Sequence, residues 1–506
     1  GCFDMNIIEH YSDKINGVLS SFDRIIINGY ILSLQNPRQF LFYLISNSVK
    51  LLDFHSFAKS QTDSLCLHID SYANDCGVDI TYLSSPKTNK DELARAAFDK
   101  DPSRTGLIAA FSSVELCRTM TVVSNHQTLK LETASRQTKC KHYLYYNDVE
   151  FGWMFIKIQT RFSYNVQIYI NGREYLSKLF DKNNINYEMY HNSFSFIDDF
   201  DKAQKIANDI LNKKISASFD GMIKKINVHL PAIEQTMGHS YYWCLDQCEF
   251  ATDINFKKRE DLSIIYKKLV ETSYFAFNCH DIYSFFGRKV EYIGRFKGEI
   301  ISDLRNRKQG FRIKFKMNKN QIKMYDKGNN LRIKVTINNP AEFKVLKNDD
   351  ESGSKKWKPM GKSIANLYRY SKVSESVTKR FIEVLPTVDT DNVTLKEIKE
   401  ISKAKEVNGR RYSRFNLLSE NDLELFKEIS DAGYLIRGFN NKQLRKKLYE
   451  DSRNQKNISK MTRTLAKLRK HGIIKKAARK NNYCLTAKGR RIITSIQMYT
   501  GKEVLG

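Results

Sequence analysis

Residues 142–171 run HYLYYN (142–147), GWMFIKIQT (152–160) and FSYNVQIYIN (162–171). Aromatic and β-branched residues alternate with polar ones through each run, the pattern of strands with two unlike faces. Asn147-Asp148 and Arg161-Phe162 fall where hairpin turns belong, so the three runs predict an antiparallel meander. The Asn171-Gly172 pair then opens a helix near Glu174–Phe180.

Upstream, Arg24–Leu32 (RIIINGYIL) predicts a buried strand, and Phe40–Leu52 is apolar at helical spacing. Ser56–Asp75 and Asp91–Phe98 predict helices, and Val78–Leu83 and Gly106–Phe111 predict strands. That order favours an N-terminal α/β unit over residues 1–135, with room for a parallel sheet. Downstream, Asp198–Ile226 looks wholly helical, Tyr241–Phe256 (YYWCLDQCEFATDINF) strand-like, and Arg259–Ala276 helical. RIKFKM (312–317), QIKMYD (321–326) and LRIKVTIN (331–338) add at least three strands, ended by Pro340. These form a central α+β core, mostly antiparallel, over 136–345. Residues 346–415 are expected to hold a linker at Asn348–Lys358 and a long helix at Ser363–Leu385. Thr394-x-x-Glu397 and Ser419-x-x-Asp422 each have the form of a capping box.

Residues 416–506 carry the sharpest pattern. NKQLRKKLY (441–449) predicts a helix with Leu444 and Leu448 inward, followed after a polar turn by NISKMTRTLAKLRKHGII (457–474). Ile458, Met461, Leu465 and Leu468 form one apolar stripe in that segment, and Gly472 suits its stop. IIKKAA (473–478) and NYCLT (482–486) then predict a two-stranded wing. Helix, turn, basic helix and wing make a C-terminal winged helix-turn-helix, and the fold class is α+β multidomain. Such a module puts its second helix in the major groove, with Lys460, Arg463, Thr464, Lys467 and Lys470 nearest the duplex. Lys475, Lys476, Arg479 and Lys480 of the wing would lie along phosphates.

Charge supports that reading. The chain has 506 residues and a net charge of +28. Residues 1–100 hold 9 Lys/Arg against 12 Asp/Glu, and residues 401–506 hold 26 against 9. Nucleic acid is the default partner of so basic a chain, with duplex DNA as the first expectation and structured RNA as the alternative. The longest run free of Asp, Glu, Lys and Arg is 13 residues, Ile25–Pro37, which excludes a membrane-spanning helix and predicts no membrane partner. Nine scattered cysteines and no secretory signal predict a reduced, cytoplasmic chain.

No nucleotide is expected, because Gly361-Lys362-Ser363 would need a glycine at position 356, where Lys356 stands. Zinc is not expected either, because Cys244 and Cys248 lack metal-finger spacing. The central strands instead carry carboxylates: Asp246, Glu249, Asp253, Glu299, Asp303 and Asp326. Carboxylates that converge on Mg²⁺ or Mn²⁺ can neutralise charge on a reacting phosphate, and an adjacent tyrosine can act as nucleophile. Glu249 and Asp253 share a strand face. Tyr325, Asp326, Glu249 and Asp253 are the catalytic candidates, with Glu299, Asp303 and Asp253 as metal ligands; Tyr292 and Asp23 are outside choices.

HYSDKINGVLSSFDRIIINGY (10–30), RFSYNVQIYINGREYL (161–176), YYWCLDQCEFATDINF (241–256), FKGEIISD (296–303), GFRIKF (310–315) and NQIKMYDKGNNLRIKVTINNPAEFK (320–344), with the terminal module, resemble a widespread bacterial family associated with mobile elements. The resemblance spans nearly the whole chain and brings no defined activity with it. Tyr325-Asp326-Lys327 followed by Leu331-Arg332-Ile333 is also similar to a local pattern of plasmid rolling-circle replication initiators. That similarity implies strand cleavage by a tyrosine beside an acidic metal site. Lys334 departs from it, standing where those families place Glu, and a lysine cannot ligate a divalent cation. Two functions follow as expectations: a metal-dependent endonuclease or strand transferase of the replication-initiator or transposase kind, or a regulator that binds DNA or RNA without cutting it.

Overall fold

Strand β1 (Ile15–Tyr30) shows how pattern becomes architecture. Ile25, Ile27 and Gly29 are buried, while Arg24, Ile26, Asn28 and Tyr30 between them are half-buried, the period of two that a sheet imposes. In the computed structural model, the described residues are all except 1–5, 211–214, 278, 289–298, 308–309, 349–354, 386–396, 418, 431–433, 435–437, 478–481, 487, 491, 494–495 and 497–506. Among them no helix is long and apolar enough to cross a membrane. The architecture is mixed α and β, in two compact units, and each is described by itself.

The larger unit comprises Val18–Asp253 and Lys334–Glu375. After β1 come β2 (Ile80–Leu83), β3 (Gly106–Asn125), β4 (Lys130–Asp148), β5 (Gly152–Gln159) and β6 (Val166–Asn171). β7 (Tyr187–Met189) and β8 (Phe194–Ile197) pair as a short hairpin, and β9 (Tyr242–Phe256) returns to the main sheet. β10 (Ile300–Arg307), β11 (Gly310–Met317) and β12 (Asn320–Lys327) follow, then β13 (Asn330–Ile337), whose residues from Lys334 onward fall in this unit. The strand order here is β13-β9-β1-β6-β5-β4-β3-β2. β2 runs parallel to β3, whereas β1/β6, β3/β4, β4/β5 and β5/β6 pair antiparallel.

The meander expected over 142–171 is present in register, with Tyr145 opposite Phe155 and Phe155 opposite Tyr169. Its first strand is much longer than expected, because β3 and β4 form one hairpin from Gly106 to Asp148. The expected domain boundary at 135/136 therefore falls inside β4. The polar residues Ser124–Thr128 masked that hairpin, since neither Gly nor Pro marks the turn between its strands. Leu144, Ile156, Ile158, Ile168 and Ile170 are buried on one face of the sheet. Helix Lys90–Phe98 serves the other face, where Ala94 packs with Phe111, Tyr145 and Trp153.

One further expectation changes, and one stands over the described residues. The span Asp198–Ile226 is helical over Phe200–Asp209 and Ile215–Ile226, and residues 211–214 lie outside the described residues. The expected linker, Asn348–Lys358, starts and finishes in two strands, Lys344–Asn348 and Lys355–Pro359, that pair antiparallel. Charged residues suit an exposed two-stranded hairpin as well as they suit a loop, so composition could not separate the two. The long helix starts at Leu367 after a 3-10 turn, Ile364–Asn366, and ends at Val384.

The smaller unit comprises Gly1–Gly17, Ile254–Ile333 and Ser376–Gly506. Its strand order is β10-β11-β12-β13, four strands where the sequence predicted at least three. Ile313, Phe315, Ile322 and Met324 are buried, and Phe277, Phe285, Phe315 and Phe381 interlock as a ring cluster. A separate core joins Phe426 of helix Glu420–Ile429, Leu444 of helix Asn441–Leu448, and Met461, Leu465 and Leu468 of helix Gln455–Lys470. Ile474 and Leu485 of the hairpin Ile474–Lys476/Tyr483–Leu485 complete it. Ser419 does sit at the start of helix Glu420–Ile429, but its side chain makes no cap bond; Asp422 instead accepts from the Asn416 amide at 2.8 Å. Thr394 lies outside the described residues.

Candidate functional site: a buried charge ladder and a basic helix

The chain builds the first locus at the end of β6. Asn171 caps helix Gly172–Lys182 by accepting from the amides of Arg173 and Glu174. Gly172 is required there, since a Cβ would stand 2.1 Å from the Phe22 carbonyl oxygen of β1. This close approach places the next residue, Arg173, inside the protein with no exposed side-chain surface. Arg173 Nη1 donates to Ser21 Oγ at 2.8 Å and Nη2 to the Ala251 carbonyl at 3.1 Å. Its Nη2 also meets Asp253 Oδ2 at 3.0 Å, and its Nε lies 3.9 Å from Asp23 Oδ1.

Asp23 continues the sequence of charges. Its Oδ1 accepts from Asn192 Nδ2 at 3.0 Å and its Oδ2 from Lys334 Nζ at 3.0 Å. The same ammonium donates to Glu249 Oε2 at 2.8 Å. Glu249 Oε1 in turn accepts from Arg24 Nη2 at 2.8 Å and from Thr336 Oγ1 at 3.4 Å. The order is Asp253, Arg173, Asp23, Lys334, Glu249, Arg24: three carboxylates and three cations in strict alternation. Side-chain exposure rises from 0% at Arg173 through 14% at Lys334 to 36% at Arg24, so the ladder leads outward from the core. Alternation explains how so many charges tolerate burial, because each loses water and gains an opposite charge.

Tyr169, on β6, lies within electrostatic reach of this ladder. Burial pushes its hydroxyl up to about 12, with Arg24 pulling the other way and Asp23 adding to the rise. Its ring stacks on Phe155 at 5.1 Å.

Of the sequence candidates, Glu249, Asp253 and Asp23 therefore come together, the first two on one strand as their spacing required. Tyr325, Asp326, Glu299 and Asp303 belong to the smaller unit, so the trio Glu299, Asp303 and Asp253 is divided between units. Glu299 pairs with Lys316 at 2.9 Å. Asp303 pairs with Arg305 at 2.9 Å and Lys314 at 3.1 Å. Partial burial raises the Asp303 carboxyl, but these two cations outweigh it and hold the group below the usual range. Burial raises Asp326, with Arg259 opposing. Tyr325 stands opposite Arg312 on β11. Asp246 is half-buried, 3.8 Å from Lys362. Tyr292 lies outside the described residues.

As a divalent-cation site the ladder does not fit. Mg²⁺ or Mn²⁺ needs several oxygen donors around one point. The point between Asp23 and Glu249 is held by the Lys334 ammonium, and that between Asp23 and Asp253 by the Arg173 guanidinium. Among the described residues no three His, Cys, Asp or Glu side chains gather into a metal-holding group.

The second locus is helix Gln455–Lys470. Asn454 caps it, accepting from the Lys456 amide, and the Met461, Leu465 and Leu468 stripe is buried. Lys460 and Arg463 are exposed, and Thr464 is half-buried with its hydroxyl donating to the Lys460 carbonyl at 3.0 Å. Lys470 is half-buried, while Lys475 and Lys476 of the following strand are exposed. Lys467 turns inward: its ammonium lies 3.8 Å from the Phe415 ring centre and 3.9 Å from Asp422. Burial pulls its pKa down, with Asp422 opposing. Arg479 and Lys480 lie outside the described residues.

Three cations escaped sequence reading. Arg173 looked like an ordinary first-turn residue, and only the Asn171-Gly172 pair marked its surroundings as tight. Arg410 and Arg411 stand exposed at the start of the second strand of the hairpin Lys405–Val407/Arg410–Tyr412. Asn408 and Gly409 turn that hairpin with φ of 53° and 71°, so the Asn-Gly signal was present and unused.

Comparison of the chain with known proteins returns no matching family model, no similar curated protein and no similar solved structure.

Proposed function

We propose that this is a nucleic-acid-binding protein that docks on duplex DNA through its C-terminal residues, acting as a winged helix-turn-helix. The observation that carries the reading is the division of helix Gln455–Lys470: Met461, Leu465 and Leu468 go to the core while Lys460 and Arg463 face solvent. A helix so divided offers its cations to the major groove, and the hairpin with Lys475 and Lys476 can follow the backbone. The resemblance to a mobile-element family supports this reading and adds a setting for it. In the test, a labelled duplex library is titrated with the full chain and with Lys460→Glu/Arg463→Glu. Binding lost in the variant is the expected result; equal binding overturns the reading.

A second reading, metal-dependent strand cleavage or transfer, would need its ion outside the ladder, where the Lys334 ammonium and the Arg173 guanidinium hold the points between Asp23, Glu249 and Asp253. Its test is incubation of single-stranded, duplex and structured RNA substrates with Mg²⁺, Mn²⁺ or EDTA. Cutting that appears with Mg²⁺ or Mn²⁺ and stops with EDTA establishes it; intact substrate in every arm rejects it and leaves binding.

A further inference from the structure

We propose that Lys334 is a tethered cation that takes the place of a divalent ion between Asp23 and Glu249, so that one residue decides whether this locus is metal-free or metal-binding. The inference does not depend on the DNA-docking reading, which concerns other residues.

Three features of the ladder converge on it. First, the ammonium makes close contact with two carboxylates from different strands, at 3.0 Å to Asp23 Oδ2 on β1 and 2.8 Å to Glu249 Oε2 on β9. Those oxygens are within 6 Å of each other by their common partner, a gap that a small cation can bridge with modest side-chain adjustment. Second, the remaining carboxylate oxygens are already oriented by neighbours: Asn192 on Asp23 Oδ1, and Arg24 with Thr336 on Glu249 Oε1. Such outer contacts aim a ligand as well as they aim an ion-pair partner. Third, the side chain of Lys334 enters from β13 with only 14% exposure, so its charge is delivered from the protein rather than from solution.

Size and charge then say what an exchange does. A glutamate at 334 is shorter than lysine by one bond, ~1.5 Å. An ion bound to its carboxylate sits ~2.1 Å further out, close to where the ammonium nitrogen now lies. The local sum of residues 23, 249 and 334 changes from −1 with lysine to −3 with glutamate, enough to attract a divalent ion despite Arg24 and Arg173 nearby. With lysine in place, a divalent ion would meet a net charge of −1 and an ammonium on its own coordination point.

The test uses full-length protein and Mn²⁺ alone. Free Mn²⁺ is counted by its electron paramagnetic resonance spectrum, and melting is followed with and without the ion. Wild type is expected to leave Mn²⁺ free and to melt at the same temperature either way. Lys334→Glu should bind one Mn²⁺ per chain, melt higher with the ion, and lose both effects when Glu249→Gln is added. Lys334→Gln, which removes the ammonium without adding a carboxylate, covers the case in which Lys334→Glu fails to fold; it should bind Mn²⁺ more weakly than the glutamate variant and better than wild type. Wild-type binding of one Mn²⁺ that Glu249→Gln abolishes would overturn the proposal. So would a folded Lys334→Glu, or, where that does not fold, a folded Lys334→Gln, that leaves the ion free. Because duplex binding is read separately with the Lys460/Arg463 variant, failure here and failure of DNA docking are distinguishable.

Discussion

Both loci are rich in Arg and Lys, and they put the charge to opposite uses. In the ladder each cation lies against a carboxylate, and Arg173 and Lys334 are shielded from water. On helix Gln455–Lys470 the cations Lys460 and Arg463 face solvent. Charge in the first setting acts on folding, because an orphaned partner stays buried. Charge in the second acts on association, because releasing counterions from a polyanion is its main effect. Residue type is shared; burial separates the consequences.

The largest effect should come from breaking the ladder in its core. Arg173→Met leaves Asp23 and Asp253 without their guanidinium, and loss of one buried partner costs about 3–5 kcal/mol. Urea unfolding should show it, and an unchanged midpoint would mean that the ladder is not the stabilising arrangement described. Next comes the exposed pair. Lys460→Ala and Arg463→Ala should each weaken duplex binding by about 1–3 kcal/mol, and each lost phosphate contact should flatten the salt dependence by about 0.9 in the log–log slope. By contrast, ladder-dependent stability should change little over the same salt range, since buried pairs are weakly screened.

A smaller effect is expected from pH. His471 is buried and donates through Nε2 to the Ser413 carbonyl at 3.0 Å. Burial lowers its pKa, the Ser413 bond opposes this, and Lys467, Lys405 and Lys488 lower it further. The imidazole is therefore neutral in the fold, and its contribution is intact above the unfolded value of ~6.5 and lost as pH falls below it. Melting between pH 7.5 and pH 5.5 should show the C-terminal residues losing stability, and His471→Gln should remove part of that slope. The smallest effect tests the border between the two settings. Lys467 lies on the basic helix yet packs on Phe415, so Lys467→Ala should lower the melting temperature and leave duplex affinity unchanged. A loss of affinity like that of Arg463→Ala would place it with the exposed group instead.

Much of the fold was legible because strand and helix periods are local. The meander, helix Arg259–Ala276, strand Tyr242–Phe256 and the Met461/Leu465/Leu468 stripe all follow from spacing. The β3–β4 hairpin was not legible, because no Gly or Pro marks its turn and only a few residues of its outer part, Met120 and Val122 among them, are apolar and buried. Glu249 and Asp253 could be paired by strand periodicity alone. Tyr325 and Asp326 could not be separated from them, because the chain assigns residues to its two units by packing and not by order.

What the sequence determined by itself is therefore the set of elements and the exposed cations of the terminal helix, both consequences of neighbours a few positions apart. What only the tertiary structure decided is the pairing of the buried charges. Lys334 meets Asp23 across 311 residues, and Arg173 meets Ser21 across 152. Sheet neighbours are set by backbone pairing and a shared core, so no local pattern records them, and a lysine written among strand residues gave no sign that it would lie between two carboxylates.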